Sequence, residues 1–390
     1  LAGELVWPFE GEITSAIRNF DSSLFSDFVR RPLPPLIINQ LDLSARWDRS
    51  PVKFELGMEL KIPVTNAPPV STTAQLQGTR DGVTVKQLVI AGPREPAATA
   101  HGFLPVSIQP ALEQIITIDP QKPVQLTAAT QPDAFVWDLI AKRTGVTFRA
   151  PRLELNLAGT LASPHGQIRF QARQISLRPG KRPLPDLEQL ALEVKLGREV
   201  ARLTTFRLLV QNQPVTLTGE LPLGESFWTG LANRQFDLDW QKATARLRVP
   251  PVELAELTKF IPQPLVPQGE FMADLALEPG GNLAGTLRLG GLRTLPLPGL
   301  GPVENIRARL VFSGRTAKLE EASAWIGGQP VETTGVLHLP PNLTLQGELP
   351  SFTLEVRGAQ VPLVRRPELV LRADLNLSIT NFPEIGRAHV

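Results

Sequence analysis

The chain has 390 residues, 42% of them apolar and 20% charged, the balance of a folded protein too long for one ordinary compact core. Its 40 Lys and Arg against 38 Asp and Glu give a net charge of +2, and no block of five like charges marks a nucleic-acid stripe. With no Cys, disulfides, thiol nucleophiles and cysteine metal sites are excluded, while 38 Pro and 30 Gly point to many short strands separated by turns.

Taken in chain order, residues 1–35 form an N-terminal, partly helical segment, with a short helix expected over 22–30. Residues 36–131 are a first β-repeat region. Residues 132–146 are a helical insertion, with Asp133 as the cap of a helix over 134–144 that puts Phe135, Val136, Leu139 and Ile140 on one side. A second β-repeat region covers 147–251, where RLELNL (152–157), QIRFQA (167–172) and ATARLRV (243–249) alternate with period two. Residues 252–266 are a short helix, VELAELTKF, stopped by Pro262, and a linker. A third β-repeat region covers 267–383, with FMADLAL (271–277) and LVLRADLNLSI (369–379) as further alternating strands. The tail EIGRAHV (384–390) reads as non-native. With Leu1 in place of Met, it suggests a fragment whose natural chain continues in both directions.

Within this array one phrase recurs. NQPVTLTGELPL (212–223) returns as GQPVETTGVLHL (328–339), and the match extends without a gap from 187–224 to 303–340 at a constant offset of 116 residues. Identical pairs include Gln213/Gln329, Pro214/Pro330, Val215/Val331, Gly219/Gly335 and Leu221/Leu337. Such repetition predicts a stacked, quasi-one-dimensional structure. Short Pro- and Gly-bearing links make sequential neighbours antiparallel.

Each repeat collects its apolar side chains on one sheet face. Covering each is worth about 1.5–3 kcal/mol, so a whole face of them cannot stand open to water, and three short helices cannot cover so many strands. Two coverings are open. The sheet folds on itself as a filled sandwich, or it curls into a trough whose lining holds hydrocarbon chains.

LNLAGTLASPHGQIRFQARQISL (155–177), followed by LTTFRLLVQNQPVTLTGELPLG (203–224), resembles the AsmA-like superfamily, most of all its TamB-like members, inner-membrane subunits of the translocation and assembly module. The shared features are a Pro- and Gly-bearing turn (Ser163–Gly166), an alternating strand, and a Gln-Pro-Val-x-x-x-Gly-x-Leu phrase; PELVLRADLNLSI (367–379) is in the same style. The resemblance spans about 150–380 and, more loosely, 36–110. It implies an all-β fold: an elongated antiparallel β-repeat array curled into an apolar groove, with a few short capping helices. It also implies a periplasmic location, an inner-membrane anchor outside this segment, phospholipid as cargo carried toward the outer membrane, and an outer-membrane barrel protein as a partner.

The expected lining residues are Leu190, Leu192, Val194, Leu208, Val210, Val215, Leu217, Leu221, Ile306, Leu310, Val331 and Leu337. No catalytic motif, metal-ligand spacing or cofactor signature accompanies them. His101, His165, His338 and His389 form no ligand pair, and His165 reads as a turn residue. Glu320 and Glu321, adjacent in a strand, would face opposite ways. The six Trp read as core or lining positions, and the 134–144 helix as packing on a sheet end or gating the trough. The expected function is non-enzymatic carriage of lipid. A structural β-sandwich array and a scaffold assisting outer-membrane protein assembly are the alternatives.

Overall fold

The computed structural model describes residues 10–22, 24, 36–48, 51–64, 67–92, 96–109, 116–119, 121–177, 186–224, 227, 238–257, 265–266, 268–298, 301–339, 351–366 and 369–381. The expected 22–30 helix, apart from Ser22 and Leu24, and the 384–390 tail lie outside them. The chain is all-β. About 78% of it is strand, and among the described residues 22 strands belong to one antiparallel sheet that is not closed into a barrel.

The strands in chain order are β1 (Glu10–Asp21), β2 (Ile37–Asp48), β3 (Lys53–Val64), β4 (Ala67–Gly78), β5 (Val83–Ala91), β6 (Pro96–Leu104), β7 (Val106–Ile108), β8 (Ile116–Ile118) and β9 (Gln125–Thr130). Helix α1 (Phe135–Thr144) precedes β10 (Val146–Arg149), β11 (Arg152–Gly159) and β12 (Pro164–Leu177). Then come β13 (Leu187–Leu196), β14 (Val200–Val210), β15 (Gln213–Pro222), β16 (Thr244–Glu253), β17 (Leu265–Val266) and β18 (Glu270–Glu278). The last are β19 (Asn282–Thr294), β20 (Val303–Gly314), β21 (Thr316–Ile326), β22 (Gln329–His338), β23 (Ser351–Arg366) and β24 (Leu369–Asn381).

The chain divides into two units. The first holds residues 1–178, 191–201 and 225–236. In it β1 to β6 pair consecutively as an antiparallel meander, followed by β9, β11 and β12, with β10 also on β12. The small β7–β8 hairpin forms a separate sheet. The second unit holds 179–190, 202–224 and 237–390, where β15, β16 and β18 to β24 pair in that order and β17 adds to β19.

The internal repeat is physical. β13, β14 and β15 begin at 187, 200 and 213; β20, β21 and β22 begin at 303, 316 and 329, each 116 residues on. The backbone irregularities repeat too. Gln189 and Asn305 both have φ 51°, and the turn residues Gln211 (49°) and Asn212 (64°) match Gly327 (56°) and Gly328 (84°). Two consecutive left-handed residues give the hairpin turn whose twist fits the flanking strands.

Three local expectations are corrected. Helix α1 forms, but Ala134 stands at its N-cap with no side-chain hydrogen bond, so Asp133 does not cap it. Its far end is well closed: Gly145 is left-handed (φ 74°), donates its N–H to Ala141 O, and Lys142 and Arg143 occupy the last turn, where the helix dipole favours cations. Of the expected 252–260 helix, the first two residues belong to β16 and Leu254–Leu257 form a 3-10 turn, and 258–260 lie outside the described residues. Pro250 and Pro251 lack N–H donors, yet a bulge between Val249 and Val252 carries β16 past them, and Val252 pairs with Phe271. His165 is not in the turn but on β12, opposite Ala158.

Candidate functional site

Registers across the second unit align apolar residues into continuous rows. One runs Leu217, Leu247, Leu275, Gly285, Phe312, Ala317, Leu337 and Phe352 over eight strands. Its neighbour runs Val249, Ala273, Leu287, Leu310, Leu319, Gly335, Leu354 and Ile379. With strands about 4.8 Å apart, each row is roughly 34 Å long. Small members are enclosed by their neighbours: Ala273 is 3% exposed and Ala317 1%. The large ones remain half-buried, and Ile379 near the free side of β24 is exposed.

The first unit repeats the design. Ile17, Leu41, Met58, Ala74, Leu88, Ala100, Ala128, Leu155 and Ile168 form one row, and Ser15, Leu43, Leu56, Leu76, Val85, Gly102, Leu126, Leu157 and Gly166 the next. Ala74 alone is fully buried; the others are half-buried. Two covers lie at opposite ends of the strands. Ile108 of the β7–β8 hairpin packs, with Leu43 and Phe54, against the buried cluster of Ala45, Trp47 and Val52. At the other end α1 packs Trp137 against Phe148 and Phe170, with ring centroids at 6.1 and 5.6 Å, alongside Ala97 and Leu153. The helix therefore packs at a sheet end. The rows between the covers keep their half-open surface.

Of the expected lining residues, Leu217, Ile306, Leu310, Val331 and Leu337 lie in the registers of the second unit: Ile306 opposite Leu292, Val331 between Ala324 and Gly358. Leu190, Leu192 and Val194 share one parity on β13, Leu208 and Val210 on β14, and Val215 and Leu221 lie on β15 in the parity of Leu217. Leu190 (8%) and Val331 (5%) are buried; the other ten are half-buried. Sequence reasoning named none of Leu247, Leu275, Leu287 or Leu354, although the alternation in 243–249 and 271–277 carries the first two. The row of the first unit was also unnamed. It is diluted by Ala and Gly, which weakens the period-two signal.

The opposite face is polar and laced with ion pairs between exposed side chains. Arg246 forks onto Asp274 with two 2.9 Å hydrogen bonds, and Arg248 lies 3.6 Å away. The hydrogen bonds from Arg246 hold the Asp274 carboxyl below its ordinary range. Asp42 is lowered likewise, first by Gln40 and then by Arg18. Arg202 reaches Glu220 at 2.9 Å and Arg293 reaches Glu304 at 3.0 Å. Contrary to the expectation for adjacent strand residues, Glu320 and Glu321 both approach Arg309 Nη1, at 4.0 and 3.9 Å. The ladder between β21 and β22 skips from Leu319 to Ala322, and the bulge turns both carboxylates to one side. Trp47 and Trp137 are core residues, but Trp240 (69%) and Trp325 (43%) are exposed, against the core or lining expectation.

Among the described residues no three His, Asp or Glu are grouped to hold a metal ion, and no helix is long and apolar enough to cross a membrane. No protein-family model, curated protein or solved structure matches the chain.

Proposed function

We propose that this chain carries lipid without enzymatic chemistry, holding phospholipid acyl chains along its apolar sheet face. The observation that carries the reading is the half-open state of that face: large side chains aligned in rows and left half-covered, while the sealed members of those rows are Ala74, Ala273 and Ala317. A filled sandwich would bury Leu, Val and Phe as fully as Ala. The mechanism is partition. Each CH2 moved out of water contributes about 0.8 kcal/mol, and a row spanning many strands offers the same lining at every step, so a chain slides without a deep trap. Headgroups stay at the open side, in water. The sheet itself needs no cofactor or energy source, and direction must come from what lies at its ends. The resemblance to TamB-like proteins supports a periplasmic setting, an inner-membrane anchor beyond this segment, and an outer-membrane barrel as the acceptor.

Native mass spectrometry of the purified chain tests this. Bound phospholipid is expected on the unmodified chain. Leu217→Asp, at the start of one row, and Leu310→Asp, in the middle of the other, should lose most of it while circular dichroism still reports a folded sheet. A lipid-free native chain, or folded variants that retain lipid at the original level, would overturn the reading.

A further inference from the structure

We infer that the polar face of β19–β21 carries a second site, a cradle for a phosphate-bearing anion built from Arg288, Arg307 and Arg309. The register sets Arg288 directly opposite Arg309, and Arg307 lies two residues before Arg309 on the same side of β20. Like charges placed directly across two strands destabilise the pair, so this arrangement costs the fold something unless an anion offsets it. Other arginines of the polar face have carboxylates within reach: Arg246 and Arg248 share Asp274, and Arg202 meets Glu220.

Here the pairing is deficient. Arg288 has no hydrogen-bond or ion-pair partner among the described residues. Arg307 Nε donates to Asn305 Oδ1 at 3.1 Å, a neutral acceptor. Arg309 meets its two carboxylates only at 3.9 and 4.0 Å, beyond hydrogen-bonding distance, and its Nε is enclosed with no acceptor at all. Three guanidiniums against two carboxylates leave one positive charge in surplus. The three arginines, with Glu321 and Ser323, line a dent of about 500 Å3.

The fold does not require these residues. The sister repeat reproduces the strand starts and the left-handed positions, yet it has Ala191 where Arg307 stands and Glu193 where Arg309 stands. A feature present in one copy and replaced by a neutral and an acidic residue in the other is not a packing element. Phosphate fits the donor set better than a carboxylate. Guanidinium forks bind its oxygens bidentately, and three forks supply more donors than two carboxylate oxygens accept. The phosphate can come from a free phosphorylated solute or from an anionic lipid headgroup at a membrane surface. Either lies on the face opposite the acyl rows, so the site stands or falls apart from lipid carriage.

The test uses the whole chain, an Arg288→Gln/Arg309→Gln variant, and Lys86→Gln as a control with a charge removed elsewhere on the sheet. Calorimetric titration with inorganic phosphate covers the free source. Flotation with vesicles of phosphatidylglycerol in phosphatidylcholine, against phosphatidylcholine alone, covers the headgroup. The unmodified chain and the control are expected to bind at least one phosphate probe, and the double variant to bind it about tenfold or more weakly, as loss of charged hydrogen bonds predicts. Which probe binds identifies the source. In phosphate-free buffer, Arg288→Gln should not lower the melting temperature, because it removes a repulsion, but it should lose the rise in melting temperature that the binding probe gives the unmodified chain. No binding to either probe by the unmodified chain, equal binding by the double variant, or equal loss in the control would overturn the site.

Discussion

At the residue scale, the apolar face is shaped by glycines set opposite large side chains. Phe54 pairs with Gly78 and its ring lies over that glycine, so a Cβ at Gly78 would overlap the ring. Trp47 covers Gly11 and Leu354 covers Gly335 in the same way. The glycine lets a bulky neighbour lie flat along the sheet instead of standing away from it, which keeps the face smooth. Gly57 has the opposite setting. It lies opposite Asp42, in the parity of the polar side, and a Cβ there meets nothing within 4 Å. Gly78→Ala should therefore cost about 1–3 kcal/mol through overpacking, while Gly57→Ala should be neutral or stabilising by roughly 0.5 kcal/mol through loss of unfolded-state freedom. Urea denaturation separates the two, and equal effects would refute the packing account. None of this was visible in the sequence. Phe54 and Gly78 are joined only by the register of β3 on β4, and register is a long-range property that period-two alternation leaves unset.

At the element scale, hairpin turns and bulges decide which face each residue takes. The alternation of Leu190, Leu192 and Val194 or of Leu217 and Leu221 was legible because each lies within an uninterrupted stretch, and the repeat was legible because its identities run from the start of β15 and β22 along those strands. Bulges were not legible. In β21, Ala317 and Leu319 share a face with Ala322 and Ala324 only because the ladder with β22 passes over Glu320 and Glu321, and the ladder with β20 passes over Glu320 while pairing Glu321 with Arg309. Read as continuous strand, the parity changes and the two glutamates separate. The same limit hid the continuation of β16 through Pro250 and Pro251, where two prolines ordinarily end a strand. The turn after β14 gives a test of the repeat. Gln211 holds φ 49° where the sister turn has Gly327, and a long side chain pays about 1–2 kcal/mol in that conformation. Gln211→Gly should raise stability by roughly 0.5–1 kcal/mol after the added entropy cost of glycine. A drop in the midpoint of chemical denaturation would show that the Gln211 side chain contributes more than its backbone strain removes.

At the scale of the whole molecule, both units present the same construction: strands paired in sequence, rows of apolar residues perpendicular to them, and an ion-paired reverse side. Enlarging a hydrophobic core would favour burial of the largest side chains first, yet along the rows the sealed members are Ala74, Ala273 and Ala317, and the leucines are left half-covered. That ordering is what a surface made to receive a flexible apolar guest requires, because a guest completes the burial that the chain's own residues leave unfinished. It also fixes how affinity must depend on the guest. If acyl chains lie along a row, every added CH2 finds the same lining, and each contributes up to about 0.8 kcal/mol, a factor of roughly four in dissociation constant. Half-covered side chains reduce this, so a factor of about two to four per CH2 is expected across saturated lysophospholipids of ten, twelve and fourteen carbons, read by titration below their micelle-forming concentrations. The dependence should continue smoothly through the series, since rows of about 34 Å exceed the reach of such chains. A plateau at the shortest member would mean a closed pocket of fixed depth. No dependence at all would mean contact through the headgroup alone, and the apolar rows would then be surface that the protein covers in some other way.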